Sequence, residues 1–486
     1  MENLRNAVIV PVSDFLYTYI LIALLVGAGI YFTVRTRAVQ VRLARQMWRV
    51  VAGSRGDADG GISSFQAFCV GLASRVGTGN IVGVAIALTL GGPGAIFWMW
   101  MVALLGMATA FIEATLGQLF KVRSADGSFR GGPAYYIQRG LGSRPAAVLF
   151  AVLLIFAFGF AFNMVQANTI SDALSSGHGV DASWTAVGLM ALAAPVLFGG
   201  VRRIASVAGI MLPIMALVYV LLALVVVALN VTEIPRVLLQ IVEGAFGIDE
   251  ALAGTAGGIL AALLNGVRRG LFSNEAGMGS APNTAATATV SHPAKQGLVQ
   301  SLGVFVDTMI VCSATAFMIL VAGPTVYDPG TTTEASGAAL TANAVAESLG
   351  TWTTPLMTVL VFFFAFSSVL GNYSYAEGNL EFLGVRGRGL TVLRVLVLAA
   401  VGAGALLSLE VVWALADVAM AFMAIVNLVA IALLGRWAFG ALRDYEHQLR
   451  SGSGVQDFVD GNRFMPGRLP GDVWPSGEPA PHETRA

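Results

Sequence analysis

The sequence predicts an all-α integral membrane protein of about eleven transmembrane helices: one extra N-terminal helix, then a five-plus-five inverted repeat containing two broken helices. Composition comes first, because 56% of the 486 residues are hydrophobic and only 12% are charged. A soluble domain has too little surface to carry that excess. The second observation is a series of apolar stretches of spanning length, at 15–34, 62–90, 95–120, 146–170, 183–199, 204–229, 252–290, 296–322, 353–382, 391–408 and 411–434. The third is a pair of polar, glycine-rich interruptions inside two of them.

The first stretch is long enough to span, lacks a basic leader and precedes an arginine-rich loop, so it reads as a helix rather than a signal peptide. That loop holds Arg35, Arg37, Arg42, Arg45, Arg49 and Arg55 and is expected on the cytoplasmic side. The same side then receives Lys121, Arg123, Arg130, Arg139 and Arg144, the pair Arg202 and Arg203, Lys295, and Arg386, Arg388 and Arg394. The expected outer loops 171–182 and 323–337 contain no Lys or Arg, and Arg236 is the outer exception. The N-terminus is therefore expected outside, the C-terminus inside, and the protein in the cell (inner) membrane. Zero net charge says nothing about a partner, because positive charge is sorted by side rather than in excess.

Other chemistries find no foothold. There is no phosphate-binding P-loop. Cys69 and Cys312 fall in separate spans, and His178, His292, His447 and His482 are scattered, so no metal spacing exists. No nucleic-acid partner, organic cofactor or obligate protein partner is indicated. Residues 451–486 turn to Gly, Pro and charge and are expected to be a disordered tail. The expected segments are 1–60 (first helix and basic loop), 61–235 and 236–436 (the two repeats) and 437–486 (cytoplasmic tail).

The interruptions carry the chemistry. In residues 71–83, GLASRVGTGNIVG, two glycines and a threonine weaken the helix, and the polar side chains are expensive in hydrocarbon unless they meet protein, water or ligand. Residues 270–279, GLFSNEAGMG, echo the Gly-Leu-X-Ser and Gly-X-Gly pattern. Five spans separate the two, so they cross in opposite directions, as in an inverted repeat broken near the midplane. Half-helix N-termini present free N–H groups suited to a carboxylate, and C-terminal halves present free carbonyls suited to a cation. A small zwitterion and an ion can be held together this way with little formal protein charge.

Residues 91–106, GGPGAIFWMWMVALLG, resemble the signature of the alanine or glycine:cation symporter family, also called sodium:alanine symporters. GTGNI at 77–81, GGPAYYI at 131–137 and NEAG at 274–277 match further motifs of that family, and the likeness runs from about Gly60 to Arg443. It implies a leucine-transporter-type fold and sodium-coupled uptake of alanine or glycine across the lipid bilayer. It also implies a sodium ion between the carbonyls of Ala73 and Val76 and the hydroxyls of Ser367 and Ser368. Gly77, Thr78, Gly79 and Asn80 are implied to meet the substrate, with Gln166 and Phe272, Ser273 and Asn274 lining the pocket. Many members carry Gly-Trp where this chain has Gly371 and Asn372, which leaves alanine against glycine open.

Bland roles compete for several of these residues. Serines in spans bond to their own helix, buried amides such as Gln166 bridge helices, and Phe272 is by default core. Arg75, Glu113, Arg268, Arg269, Glu275, Asp307 and Asp417 are costly in a membrane and are expected to pair, Arg75 with Glu275 being one such latch. An acid among them offers proton coupling as a rival to sodium. A passive channel and an intramembrane enzyme also compete, but the sequence offers neither a symmetric filter nor a nucleophile with a base.

Overall fold

A computed structural model of the chain describes residues 5–53, 63–124, 127–247, 258–329, 332, 337–451 and 457–476. Arg55, His482 and the first residues of the 252–290 stretch lie outside them. The helices are α1 (Arg5–Arg35), α2 (Ser64–Arg75), α3 (Gly79–Gly91), α4 (Gly94–Leu119), α5 (Arg144–His178), α6 (Ala182–Leu197), α7 (Gly200–Leu229), α8 (Ile234–Phe246), α9 (Gly258–Asn274), α10 (Pro293–Val321), α11 (Thr353–Phe382), α12 (Arg388–Leu406) and α13 (Leu409–Arg450). Helix is thus found in each of the eleven apolar stretches.

Local sequence explains where the helices begin and bend. Ser63 and Gln66 form a reciprocal capping box, with Ser63 Oγ accepting from Gln66 N at 3.1 Å and Gln66 Oε1 accepting from Ser63 N at 2.9 Å, and this starts α2. α2 and α3 are bent by 51° across the first glycine-rich interruption. The signature at 91–106 is architectural. Gly92, at φ +65°, turns α3 into α4, and a Cβ at Gly94 would lie 2.3 Å from the backbone of Gly244, so α4 and α8 meet backbone to backbone.

Several expectations change. Stretch 252–290 is not one helix: α9 ends at Asn274, and only Ala281–Ala285 is helical in the segment before α10. The donors that a helix would use there are taken by side chains, as described below. α8 and the helix Gly337–Leu349 occupy stretches that read as outer loops, because their amphipathic apolar runs are shorter than a span. Trp100 packs between helices, its Nε1 donating to Ser313 Oγ at 2.8 Å. Tyr136 is fully buried and donates to Asn427 Oδ1.

The tail is the largest correction. Residues 457–476 dock on the face that carries Arg35 and the helix Pro133–Gly140. Phe458 N donates to Ser291 O at 2.7 Å, and its ring is fully buried between His292 and Trp474. Trp474 Nε1 donates to Gln118 O at 3.2 Å. Composition read this segment as disordered because its two anchors are single aromatics among Gly, Pro and charge. His292 accepts from Ala294 N at 3.1 Å and sits 3.1 Å from Asp444 Oδ2, and burial holds its imidazole below the usual histidine range. Trp474→Ala removes one anchor worth about 2–3 kcal/mol of burial. The melting temperature of the detergent-solubilised protein is expected to fall by several degrees, and an unchanged value would show that the docked tail does not contribute to stability.

Candidate functional site

The first break is made by side chains that intercept backbone donors. Were α2 to continue, Gly77 N would bond Ala73 O and Thr78 N would bond Ser74 O. Instead Gly77 N donates to Asn80 Oδ1 at 2.9 Å and Thr78 N donates to Gln166 Oε1 at 3.2 Å. Thr78 Oγ1 donates to the same Gln166 oxygen at 2.6 Å. The carbonyls of Ala73 and Ser74 lose their helical partners, and Val76 leaves the helical conformation at φ −75°, ψ 88°. Ser368 Oγ on α11 takes up one of them, donating to Ala73 O at 3.1 Å.

Close packing holds α2 and α3 to their neighbours. A Cβ at Gly77 would lie 2.1 Å from Ser368 Oγ, and one at Gly79 would lie 3.0 Å from Phe272 Cδ1 and 3.0 Å from Ser273 Cα. The glycines are therefore contact points between the first break, α11 and the end of α9.

The second break is stitched more heavily. Glu275 is a non-glycine residue at φ +58°, and Gly277 and Gly279 follow at φ +94° and +85°. A left-handed glutamate is strained and persists only where its surroundings hold it. Gly277 N donates to Glu113 Oε2 at 2.9 Å, Ala276 N to Asn274 Oδ1 at 3.0 Å, and Asn427 Nδ2 bonds both Glu113 and Gly277 O. Glu275 itself accepts from Ser74 Oγ at 3.1 Å and from Ser280 Oγ. So the two broken helices are linked through Ser74, while Arg75 donates to Gln300 O at 3.3 Å. The expected Arg75–Glu275 ion pair is not formed, because Ser74 rather than Arg75 faces the glutamate.

Between the breaks sits Asp307, fully buried on α10. Asn80 Nδ2 donates to its Oδ1 at 2.6 Å, while Ser273 Oγ and Thr308 Oγ1 donate to Oδ2 at 2.9 and 2.8 Å. Among the described residues no cationic side chain forms an ion pair with it. Above this cluster, on the side of the α1 N-terminus, Phe272 stacks on Phe162 with centroids 4.5 Å apart and meets Trp413 at 4.4 Å. The Arg269 guanidinium lies over Trp413 at 4.5 Å and pairs with Asp417, so α9 and α13 are clamped over the aromatics. Arg268 pairs with Asp14 of α1 at 2.7 Å. On the opposite side a cavity of about 40 Å³, lined by Val70, Thr284 and Tyr375 among others, reaches up between α2 and α11.

Most of the residues singled out from sequence converge here. Gly77, Thr78, Gly79, Asn80, Gln166, Phe272 and Ser273 surround one point, and Ala73 and Ser368 face each other beside it. Ser367 donates to Phe364 O at 2.9 Å, and Asn274 turns toward Ala276 N and Thr308. Sequence reasoning left Asp307 among structural ion pairs and passed over Phe162, Trp413 and Asn163. Asp307 had a signal, an isolated acid in an apolar run; Phe162 and Trp413 carried none, because an aromatic in a span is by default core. Asn372, where many family members carry Trp, bonds Asn163 Oδ1 at 3.1 Å and lies 3.0 Å from Ser74 Oγ.

A family model described as the sodium:alanine symporter family matches residues 1–459. The chain belongs to the sodium:alanine symporter family. Among its relatives, the amino-acid carrier protein AlsT of Bacillus subtilis is 46% identical over 474 residues, covering 98% of both chains. The probable sodium/glutamine symporter GlnT of the same organism is 46% identical, covering 93% of both. The sodium/alanine symporter AgcS of Methanococcus maripaludis is 39% identical, covering 87% of this chain and 93% of its own. The crystal structure of MhsT in complex with L-phenylalanine superposes with a TM-score of 0.57 at 16% identity, covering 78% of this chain and 91% of that one, which shows the same fold. The symporter is thus a sodium-coupled carrier of amino acids and not an enzyme. Gly77→Ala would drive a methyl into Ser368 and separate α2 from α11 at a cost of about 1–3 kcal/mol. Amino-acid uptake is expected to fall about tenfold or more while the protein still reaches the membrane; normal uptake would show that the close approach is dispensable.

Proposed function

We propose that this symporter carries alanine or glycine into the cell with Na⁺, by alternating access around the two breaks. The observation that carries the proposal is the diversion of Gly77 N and Thr78 N, which frees the carbonyls of Ala73 and its neighbours opposite Ser368. Free carbonyls and a hydroxyl suit a hard cation, so Na⁺ is assigned to Ala73, Val76, Ser367 and Ser368. Gly77, Thr78, Gly79 and Asn80 then meet the substrate carboxylate at the start of α3, where the helix dipole favours an anion. Gln166, Ser273 and Asn274 supply polar contacts, and Phe272 covers the small side chain. Phe162 and Trp413 pack against Phe272 and back it at this position. The N-terminus is assigned outside and the C-terminus to the cytoplasm from the arginine distribution, so the Arg269–Asp417 clamp closes the outer path.

Asp307 favours a second reading, proton coupling, because a buried carboxylate beside Asn80 and Ser273 has a site to protonate. Purified protein in liposomes, given labelled alanine, glycine or glutamine under a sodium gradient, a proton gradient or neither, distinguishes the two. Concentrative alanine or glycine uptake with sodium alone is expected, and uptake driven equally by protons alone overturns sodium coupling. In Ser368→Ala the half-saturating sodium concentration is expected to rise about tenfold, the cost of one lost contact to a charged group. Unchanged sodium dependence removes Ser368 from the ion site. Asp307→Asn is expected to keep sodium-driven counterflow; its loss together with loss of pH dependence would favour the proton route.

A further inference from the structure

The outer surface of the α1–α13 pair holds a feature that transport around the breaks does not use. At the end of α1 that bears Arg35, a cleft of about 350 Å³ is lined by Arg35, Arg37, Arg42, Arg443 and Arg450. Glu446 is the single carboxylate in its lining, and it is paired with Arg42 at 2.7 Å. Among the described residues, four guanidiniums are left facing one space without a carboxylate. Arg37 and Ala38 adopt φ of +55° and +52°, which turns the chain sharply back so that Arg37 and Arg42 border the same cleft as the α13 arginines.

Directly along the same two helices lies an apolar groove of about 340 Å³. Ala23, Gly27, Ala28 and Tyr31 of α1 face Leu428 and Ala432 of α13 across it. Gly27 is exposed, and a Cβ there would meet nothing within 4 Å, so the groove is open along its floor. Tyr31 of the groove and Arg35 of the cleft are one helical turn, about 6 Å, apart along α1. The Arg35 guanidinium lies 5.8 Å from the Tyr31 ring centroid and 5.0 Å from that of Phe439, so it bridges the helices. The amphipathic helix Ala44–Gly53 follows, with Trp48 half exposed, as expected at the membrane–water boundary.

We propose that this surface is a binding site for an anionic phospholipid. Its phosphate lies among Arg35, Arg37, Arg443 and Arg450, and one acyl chain lies in the groove over Gly27. Charge complementarity selects the headgroup, because guanidiniums bind phosphate oxygens by paired N–H donors and basic pockets between spans hold anionic headgroups. The apolar groove next to the cleft along the same two helices selects a lipid over free phosphate, since a soluble anion has no use for it. Occupied, the site would tie α1 to α13.

Native mass spectrometry of the full chain in detergent, offered equal amounts of phosphatidylglycerol and phosphatidylcholine, tests this. Phosphatidylglycerol is expected to be retained preferentially, and a large excess of inorganic phosphate is expected not to displace it. Arg35→Gln with Arg443→Gln should lower retention by about fivefold per arginine, the worth of one basic residue at an anionic surface. Arg450→Gln, at the exposed end of α13, should show the same single-residue loss without touching the packing. Gly27→Leu should weaken lipid retention while leaving the basic cleft intact. Equal retention of both lipids, indifference to the arginine and Gly27 variants, or displacement by phosphate alone overturns the proposal, the last in favour of a soluble-anion site.

Discussion

Two backbone donors that bond side chains instead of carbonyls set the geometry on which the centre of this symporter depends. Gly77 N bonds Asn80 and Thr78 N bonds Gln166, so α2 stops, its terminal carbonyls open, and α3 starts in a new direction. In hydrocarbon every backbone group needs a partner. The break is tolerated because each diverted donor has one, and because Ser368 reaches across from α11 to a freed carbonyl. Asn80 is itself held by Asp307, so the intercepting side chain is not free to release the donor.

The second break solves the same problem differently. Three consecutive odd positions, 275, 277 and 279, are left-handed, and partners from α4 and α13 hold the loop: Glu113 caps Gly277 N, and Asn427 bridges carboxylate and carbonyl. The first break is held by its own Asn80 together with Gln166 of α5, and the second by Glu113 and Asn427 from α4 and α13 together with its own Asn274. Through Ser74 and Glu275 the two are joined at one hydroxyl, and Asn372 shares that contact. Motion of one half-helix must therefore be felt by the other, which is the coupling that alternating access around a central site demands.

Much of the candidate site was legible in sequence because it depends on backbone chemistry. Gly, Thr and Asn inside an apolar run announce a broken helix wherever the chain folds, whereas Ser367 and Ser368 were implied only by the family resemblance. The structure separates those two serines: both bond Phe364 O, yet Ser368 alone reaches Ala73. Nothing in the residue types distinguishes them. Phe162 and Trp413 were invisible because an aromatic in a span has core packing as its ordinary role, and their stacking on Phe272 is a relation among three distant helices.

By itself the sequence determined the membrane class, most of the helical stretches and both interruptions, since hydropathy, helix propensity and glycine content act locally. Only the tertiary structure decided what each polar group in a span bonds to. It paired Arg269 with Asp417, replaced an Arg75–Glu275 pair with a Ser74 hydroxyl, and anchored a polar tail through Phe458 and Trp474. Those outcomes rest on which helix faces meet, and contacts between residues hundreds of positions apart leave no trace in local pattern.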